Sequence, residues 1–429
     1  VFKVTADSNG TGLVFGTSVT GVETITVVAS TTHDVKITTV NEQATASQSL
    51  TVDASGLTNT GALLVFISGE TGSGESQATV NVTGGAGIDT ITAGTEYSNF
   101  TGGTGADTFI FATANLTSMD TITAGDGTDV LTISNASTLI DSDFKNVTSV
   151  ATINNGTTNA AQIITLGSLA DAAGIATITG NGTGVDTVTV GAGFNNDLAI
   201  ALGTGADDID ASASSSALSV TSTAAGITAA DTLKGGTGTG DTITLTALTA
   251  GTAVFGAAFT GFETIAVTAA TTNKLNVTTG DALGSGETIT LDAAAMTNTT
   301  AALNFDGSAE ITGTGTFNIN GSTGNDTIKG GFGIDTLDGG TDGADVFYSY
   351  NGNDVIDFGE GSSDVDIWFM SGSESATNTD TITNFEAGIG KDIMNLTALA
   401  AFEATTVEAL HILTTFNDAG SANDNILVL

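Results

Sequence analysis

Asp89, Asp107, Asp326 and Asp335 each stand sixth in a glycine-rich run of nine residues, a setting that suits a hard divalent cation. The cleanest run is 84–92 (GGAGIDTIT), and 102–110 (GGTGADTFI) and 330–338 (GGFGIDTLD) match it position for position. The pattern is G-G-x-G-x-D-x-U-x with U apolar, a calcium-binding repeat of parallel coils. Ca²⁺ takes six to eight oxygen ligands at about 2.3–2.6 Å. Gly85, Gly87, Gly103, Gly105, Gly324, Gly331, Gly333, Gly340 and Gly352 let the backbone take positive φ and aim carbonyl oxygens at an ion. The Asp of each turn adds a carboxylate. Asp129, Asp186, Asp207, Asp345 and Asp354 close versions that lost a glycine or gained a residue, and Asp241 and Asp364 close weaker ones. Asp380 heads the closing segment 380–385 (DTITNF) and joins the candidate metal set. The competing reading of every copy is a tight glycine turn with a solvated Asp.

These turns need strands to hold them. Local pattern is strand nearly throughout, with Thr, Val and Ile alternating between Gly, Asn, Asp and Ser, as at 24–28 (TITVV), 79–82 (TVNV) and 187–190 (TVTV). Helix signal is confined to about 397–410, where Leu399, Phe402, Val407 and Leu410 could share a face. Asp89 and Asp107 are 18 residues apart, two nine-residue repeats per coil, so a turn in one coil lies against the turn in the next. The U residues Ile91, Phe109, Ile328 and Leu337 then point into the core. The expected fold is all-β, a right-handed parallel β-helix or β-roll solenoid with calcium-binding Gly/Asp turns and around 20 turns at about 4.8 Å each.

A longer repeat overlies the short one. Residues 17–25 (TSVTGVETI) parallel 145–153 (KNVTSVATI) and 257–265 (AAFTGFETI), and 52–60 (VDASGLTNT) parallels 291–299 (LDAAAMTNT). This divides the chain into solenoid modules at 1–128, 129–240 and 241–320, a calcium roll at 321–395, and a C-terminal cap at 396–429. The first copy opens mid-module, so further sequence is expected before Val1, and no N-terminal signal peptide is visible.

Composition narrows the function. Seven Lys, no Arg and 47 acidic residues give a net charge of −40, which argues against nucleic acid as a partner. Apolar residues make up 40% and mean hydropathy is +0.24, so the chain is not a disordered acidic tail. Ten bound Ca²⁺ would offset roughly half of the negative charge. There is no Cys, hence no disulfide or thiol chemistry, and no Pro, as in a chain built of ladder-bonded strands. No apolar run approaches a membrane span.

No catalytic set emerges, and the chain reads as a non-enzyme. His33 and His411 are far apart, and neither an H-E-x-x-H nor a G-x-S-x-G with a nearby His occurs. The run 388–392 (GIGKD) lacks the Ser or Thr that a phosphate loop needs after Lys391. Glu23 and Glu263 read as strand-end residues, and Trp368 as part of a core strand.

The nine-residue repeats, the acidic Cys-free composition and the closing 380–385 segment resemble repeats-in-toxin (RTX) proteins. The GxETI modules look like those of RTX-type bacterial S-layer proteins. The resemblance implies type I secretion with a C-terminal secretion signal within 396–429, folding on calcium outside the cell, self-assembly into a surface layer, sheath or filament, and an outer-membrane or lipopolysaccharide anchor. An RTX adhesin or biofilm-matrix protein, and the C-terminal secretion module of a secreted enzyme or toxin, are the alternatives it leaves open.

Overall fold

The computed structural model describes residues 1–4, 12–15, 21–28, 34–40, 49–58, 61–69, 78–112, 115–155, 161–180, 182–246, 251–268, 274–281, 283, 286–312, 314–359, 364–370, 378–386 and 391–395. His33, His411, Gly388, the expected helix at 397–410 and the whole 396–429 segment lie outside these residues. The chain is a parallel β-solenoid of about 14 turns with only 4% helix. It divides into two compact units, Val1–Thr221 with Ala230–Asp241, and Ser222–Ala229 with Thr242–Leu429.

Each unit is a set of parallel sheets whose successive strands come from successive coils. In the first unit one sheet carries the inward column Ile25, Val52, Val82, Phe100 and Ile122. A second sheet carries Ile37, Val65, Ile91, Phe109, Leu131, Ile153, Ile178, Ile200 and Val220. A third carries Leu139, Ile164, Val188, Ile209 and Leu233. In the second unit the columns are Ala253, Val277, Phe305, Ile328, Phe347 and Trp368 on one sheet. The other sheet has Ile243, Ile265, Leu291, Ile319, Leu337 and Ile356. All of these side chains are buried.

Strand alternation explains the columns. A strand puts alternate residues on opposite faces, so each T-U-T triplet gives one residue to the core and two to solvent. In-register parallel pairing then stacks like on like. The sheets of one coil are tied across the interior by ring pairs, with Phe100 and Phe111 centroids 5.8 Å apart in the first unit and Phe305 and Phe317 5.0 Å apart in the second. Trp368 is in the core, where its indole N–H donates to Ser349 Oγ at 3.0 Å.

The coil count is lower than expected because most coils exceed 18 residues. The bond from one rung to the next spans 18 residues from Asp89 to Asp107, 22 from Asp107 to Asp129, and 26 from Asp354 to Asp380. The extra residues enter at the corners. One coil of the first unit carries the turn Asp141–Phe144, and the next carries the helix Ser168–Ala173. Asp141 Oδ1 accepts the amides of Gly167 and Ala170, both at 2.9 Å, so one coil caps the helix of the next.

The long repeat has a matching local structure in both units. The amide of Leu57 donates to Ala54 O at 2.8 Å, and that of Met296 donates to Ala293 O at 2.8 Å. Ala54, Leu57, Ala293 and Met296 are all buried.

The outer faces are polar. Lys329 Nζ pairs with Asp306 at 2.8 Å and lies 5.8 Å from the Tyr348 ring centroid. Both charged side chains are about one-third exposed, so water screens the pair. Lys329→Met is expected to cost no more than about 1 kcal/mol in urea unfolding, since the Met stem keeps the packing on Tyr348.

Candidate functional site: the acidic ladders

At many coil corners an Asp stands at the start of a short strand and turns its carboxylate into the interior. Its Oδ1 accepts a backbone amide from the preceding coil. In the first unit the amides of Leu63, Asp89 and Asp107 donate to Asp89, Asp107 and Asp129 at 2.7, 2.8 and 2.7 Å. A second ladder runs from the Gln162 amide through Asp186 and Asp207 to Asp231, at 2.9, 2.9 and 2.8 Å. The second unit has two ladders. One links the Leu303 amide, Asp326, Asp345, Asp366 and Asp392 at 2.6, 2.8, 2.6 and 3.1 Å. The other links the Phe317 amide, Asp335, Asp354 and Asp380 at 2.8, 2.8 and 3.0 Å.

The second carboxylate oxygen often takes an amide from its own turn. Gly85 donates to Asp89 at 2.6 Å, Ser322 to Asp326 at 2.5 Å, and Gly331 to Asp335 at 2.7 Å. Asp186 instead receives the Asn155 side-chain amide at 2.9 Å. The Oδ2 atoms of Asp107, Asp129 and Asp207 are buried and receive no hydrogen bond.

The glycines serve mainly by close approach. A Cβ on Gly84, Gly102, Gly321, Gly330 or Gly339 would collide with the carboxylate of its own turn. A Cβ on Gly103 or Gly105 would overlap the carbonyl oxygen of Gly85 or Gly87 one coil back. Gly324, Gly333, Gly340 and Gly352 stack in the same way on the carbonyls of Ala301, Gly315, Ser322 and Gly333. Positive φ, the property expected from the sequence, is found at Gly103, Gly105 and Gly340. Gly125, Gly127 and Gly343 of neighbouring turns share it, whereas at Gly85, Gly324, Gly333 and Gly352 space rather than φ demands glycine.

Asp364 sits beside its ladder rather than on it. It reaches the Gly343 amide at 3.3 Å, and the rung is Asp366, two residues on. Asp120, Asp231, Asp366 and Asp392 also hold amides of the preceding coil. Asp392 closes 387–392 (AGIGKD), a copy that lost only its first glycine, whereas the glycine motif does not select the other three. A shorter signal finds Asp231 and Asp366: an Asp directly before a three-residue strand with an apolar centre, as in 231–234 (DTLK) and 366–369 (DIWF). Asp241, from a weak copy, is a full rung, accepting Leu218 at 2.7 Å and Gly236 at 2.6 Å.

Burial shapes the acidity of these rungs. Desolvation pushes Asp107, Asp207, Asp326, Asp335 and Asp366 up to about 6, and neighbouring carboxylates add to it, such as Asp89 and Asp129 at Asp107. Asp345, desolvated and flanked by the charges of Asp326, Asp366 and Asp364, is pushed up to about 9. The ladders therefore favour anything that neutralises them, a proton or a cation.

The donor set is all oxygen, carboxylate and carbonyl, which suits a hard cation and not a soft one. Among the described residues no three acidic, His or Cys side chains converge on one point, so backbone carbonyls would have to complete a coordination sphere. Stacked glycine turns supply them: Asp107 Oδ2 and the Ala124 carbonyl oxygen share the space a Cβ on Gly102 would fill. No family model, curated protein or solved structure matches this chain. Among the described residues no helix is long and apolar enough to cross a membrane.

Proposed function

We propose that the chain is a calcium-stabilised structural protein of the cell exterior, of RTX type, which assembles with copies of itself into a surface layer. The observation that supports this most is the set of buried acidic ladders against stacked glycine carbonyls, in a chain with a net charge of −40. Asp89, Asp107, Asp129, Asp186, Asp207, Asp326, Asp335, Asp345, Asp354 and Asp380 are the residues that would hold the ions, with carbonyls of the adjoining turns. Bound Ca²⁺ supplies positive charge between coils that otherwise repel. Extracellular sites of this class bind at roughly 10⁻⁴ to 10⁻³ M, filled outside a cell and empty within it. Export through type I secretion and an anchor on lipopolysaccharide or the outer membrane complete the reading. The β-strands carry no catalytic constellation in it; the rungs hold the coils together.

The test is to strip the purified protein with a chelator, follow circular dichroism, and image the assemblies. Loss of β-signal and of ordered arrays, both restored by Ca²⁺ and not by Mg²⁺, is the expected result. Arrays and β-signal that persist once calcium is shown to be absent overturn it.

A further inference from the structure

The rungs are not equivalent. At Asp89, Asp326 and Asp335 both carboxylate oxygens are met by backbone amides, so the charge is already solvated by the protein. At Asp107, Asp129 and Asp207 the first oxygen is met, by the amides of Asp89, Asp107 and Asp186, and the second is not. These three side chains are at most 2% exposed, so water does not make good the deficit. An unsatisfied buried acceptor costs on the order of 1–3 kcal/mol, more when charged. The surroundings add further acceptors rather than donors. The Ala124 carbonyl oxygen lies with Asp107 Oδ2 over Gly102, and the carboxylates of Asp89 and Asp129 flank Asp107.

We infer that Asp107, Asp129 and Asp207 are the rungs at which a divalent cation binds most strongly in the first unit, while amide-saturated rungs such as Asp89 act as hydrogen-bonded staples that need no ion. This rests on the calcium reading above and narrows it from every Gly/Asp turn to those with an unmet oxygen.

Asparagine separates the two kinds of rung, because it keeps Oδ1 and replaces Oδ2 by an N–H donor. In Asp107→Asn the Asp89 amide keeps its acceptor, and the new Nδ2 faces the Ala124 carbonyl instead of repelling it. In Asp89→Asn or Asp335→Asn the new Nδ2 faces the Gly85 or Gly331 amide, donor against donor. The experiment uses the full chain, stripped with chelator and titrated with Ca²⁺ alone by calorimetry, with thermal melts recorded before and after. Asp107→Asn and Asp207→Asn are expected to bind fewer ions than the parent and to melt higher than the metal-free parent. Asp89→Asn and Asp335→Asn are expected to melt lower when metal-free, or fail to fold. Asp107→Asn and Asp207→Asn chains that keep the parent's ion number, or that melt below the metal-free parent, overturn the assignment. A parent chain that binds no Ca²⁺ overturns the calcium reading itself.

Discussion

Raising the pH from about 5 to 8 without divalent cations is expected to lower the thermal stability of this protein steeply. The cause is the set of carboxylates whose pKa values burial shifts upward. In the unfolded chain an Asp titrates near 3.9. In the folded chain Asp107, Asp207, Asp326, Asp335 and Asp366 titrate near 6, and Asp345 near 9. Between about 4 and 6 the folded state therefore holds more protons than the unfolded state, and stability falls as pH rises. Asp345 extends the loss towards pH 9. A shift from 3.8 to about 6 corresponds to roughly 3 kcal/mol for one such group, and each ladder holds at least one. Proteins whose carboxylates are paired with cations behave oppositely, because such pairing lowers the carboxylate pKa. Melting curves in chelator at half-unit pH steps check this: a transition temperature that rises from pH 5 to 8 would show that the ladders are ionised without penalty. If calcium fills the ladders, its addition should flatten the same profile, since the ion replaces the protons.

Gly105→Ala is expected to destabilise the first unit by on the order of 4 kcal/mol, a large fraction of the stability of an ordinary domain. Gly105 has φ near +128°, which an L side chain rarely adopts. Strain of that kind costs about 1–2 kcal/mol. The added Cβ would also overlap the carbonyl of Gly87, backbone that cannot rotate out of the way as a side chain could. Overpacking typically adds about 1–3 kcal/mol. The damage spreads because Gly105 itself donates its amide to Asp126 O at 2.8 Å, and its carbonyl stacks on Gly127. A fall in the urea midpoint should be matched by early loss of amide protection at Thr90–Thr92 and Thr108–Phe111. A midpoint within experimental error of the parent's would mean that the glycine columns are looser than their spacing implies. Gly21→Ala is the contrast: φ is also positive there, but nothing lies within 4 Å of its added Cβ.

Parallel stacking was readable because a solenoid repeats locally: 18 residues between Asp89 and Asp107 puts like residues in register, and Ile91 does pair with Phe109. The buried U positions follow from the two-residue period of a strand. The role of the Asp was less legible. Its type and spacing suggest a metal ligand, yet sequence does not say which oxygen meets which amide. Asp231 and Asp366 show the limit, since their turns keep only the first of the motif's three glycines and their place on the ladder comes from the coil before. Asp364 shows the converse, a motif position displaced from the ladder by two residues.

What the sequence determined by itself is therefore the repeating unit: turn, Asp, short strand with an apolar centre, and the charge that every coil must manage. What only the tertiary structure decided is how each carboxylate is satisfied. That depends on groups one coil away, 18 to 26 residues distant, across corners of unequal length. Asp89 and Asp107 close turns of the same pattern, but only Asp89 has both oxygens met by amides. A hydrogen bond is settled within tenths of an ångström by the stacking of coils, and a local repeat does not carry that information.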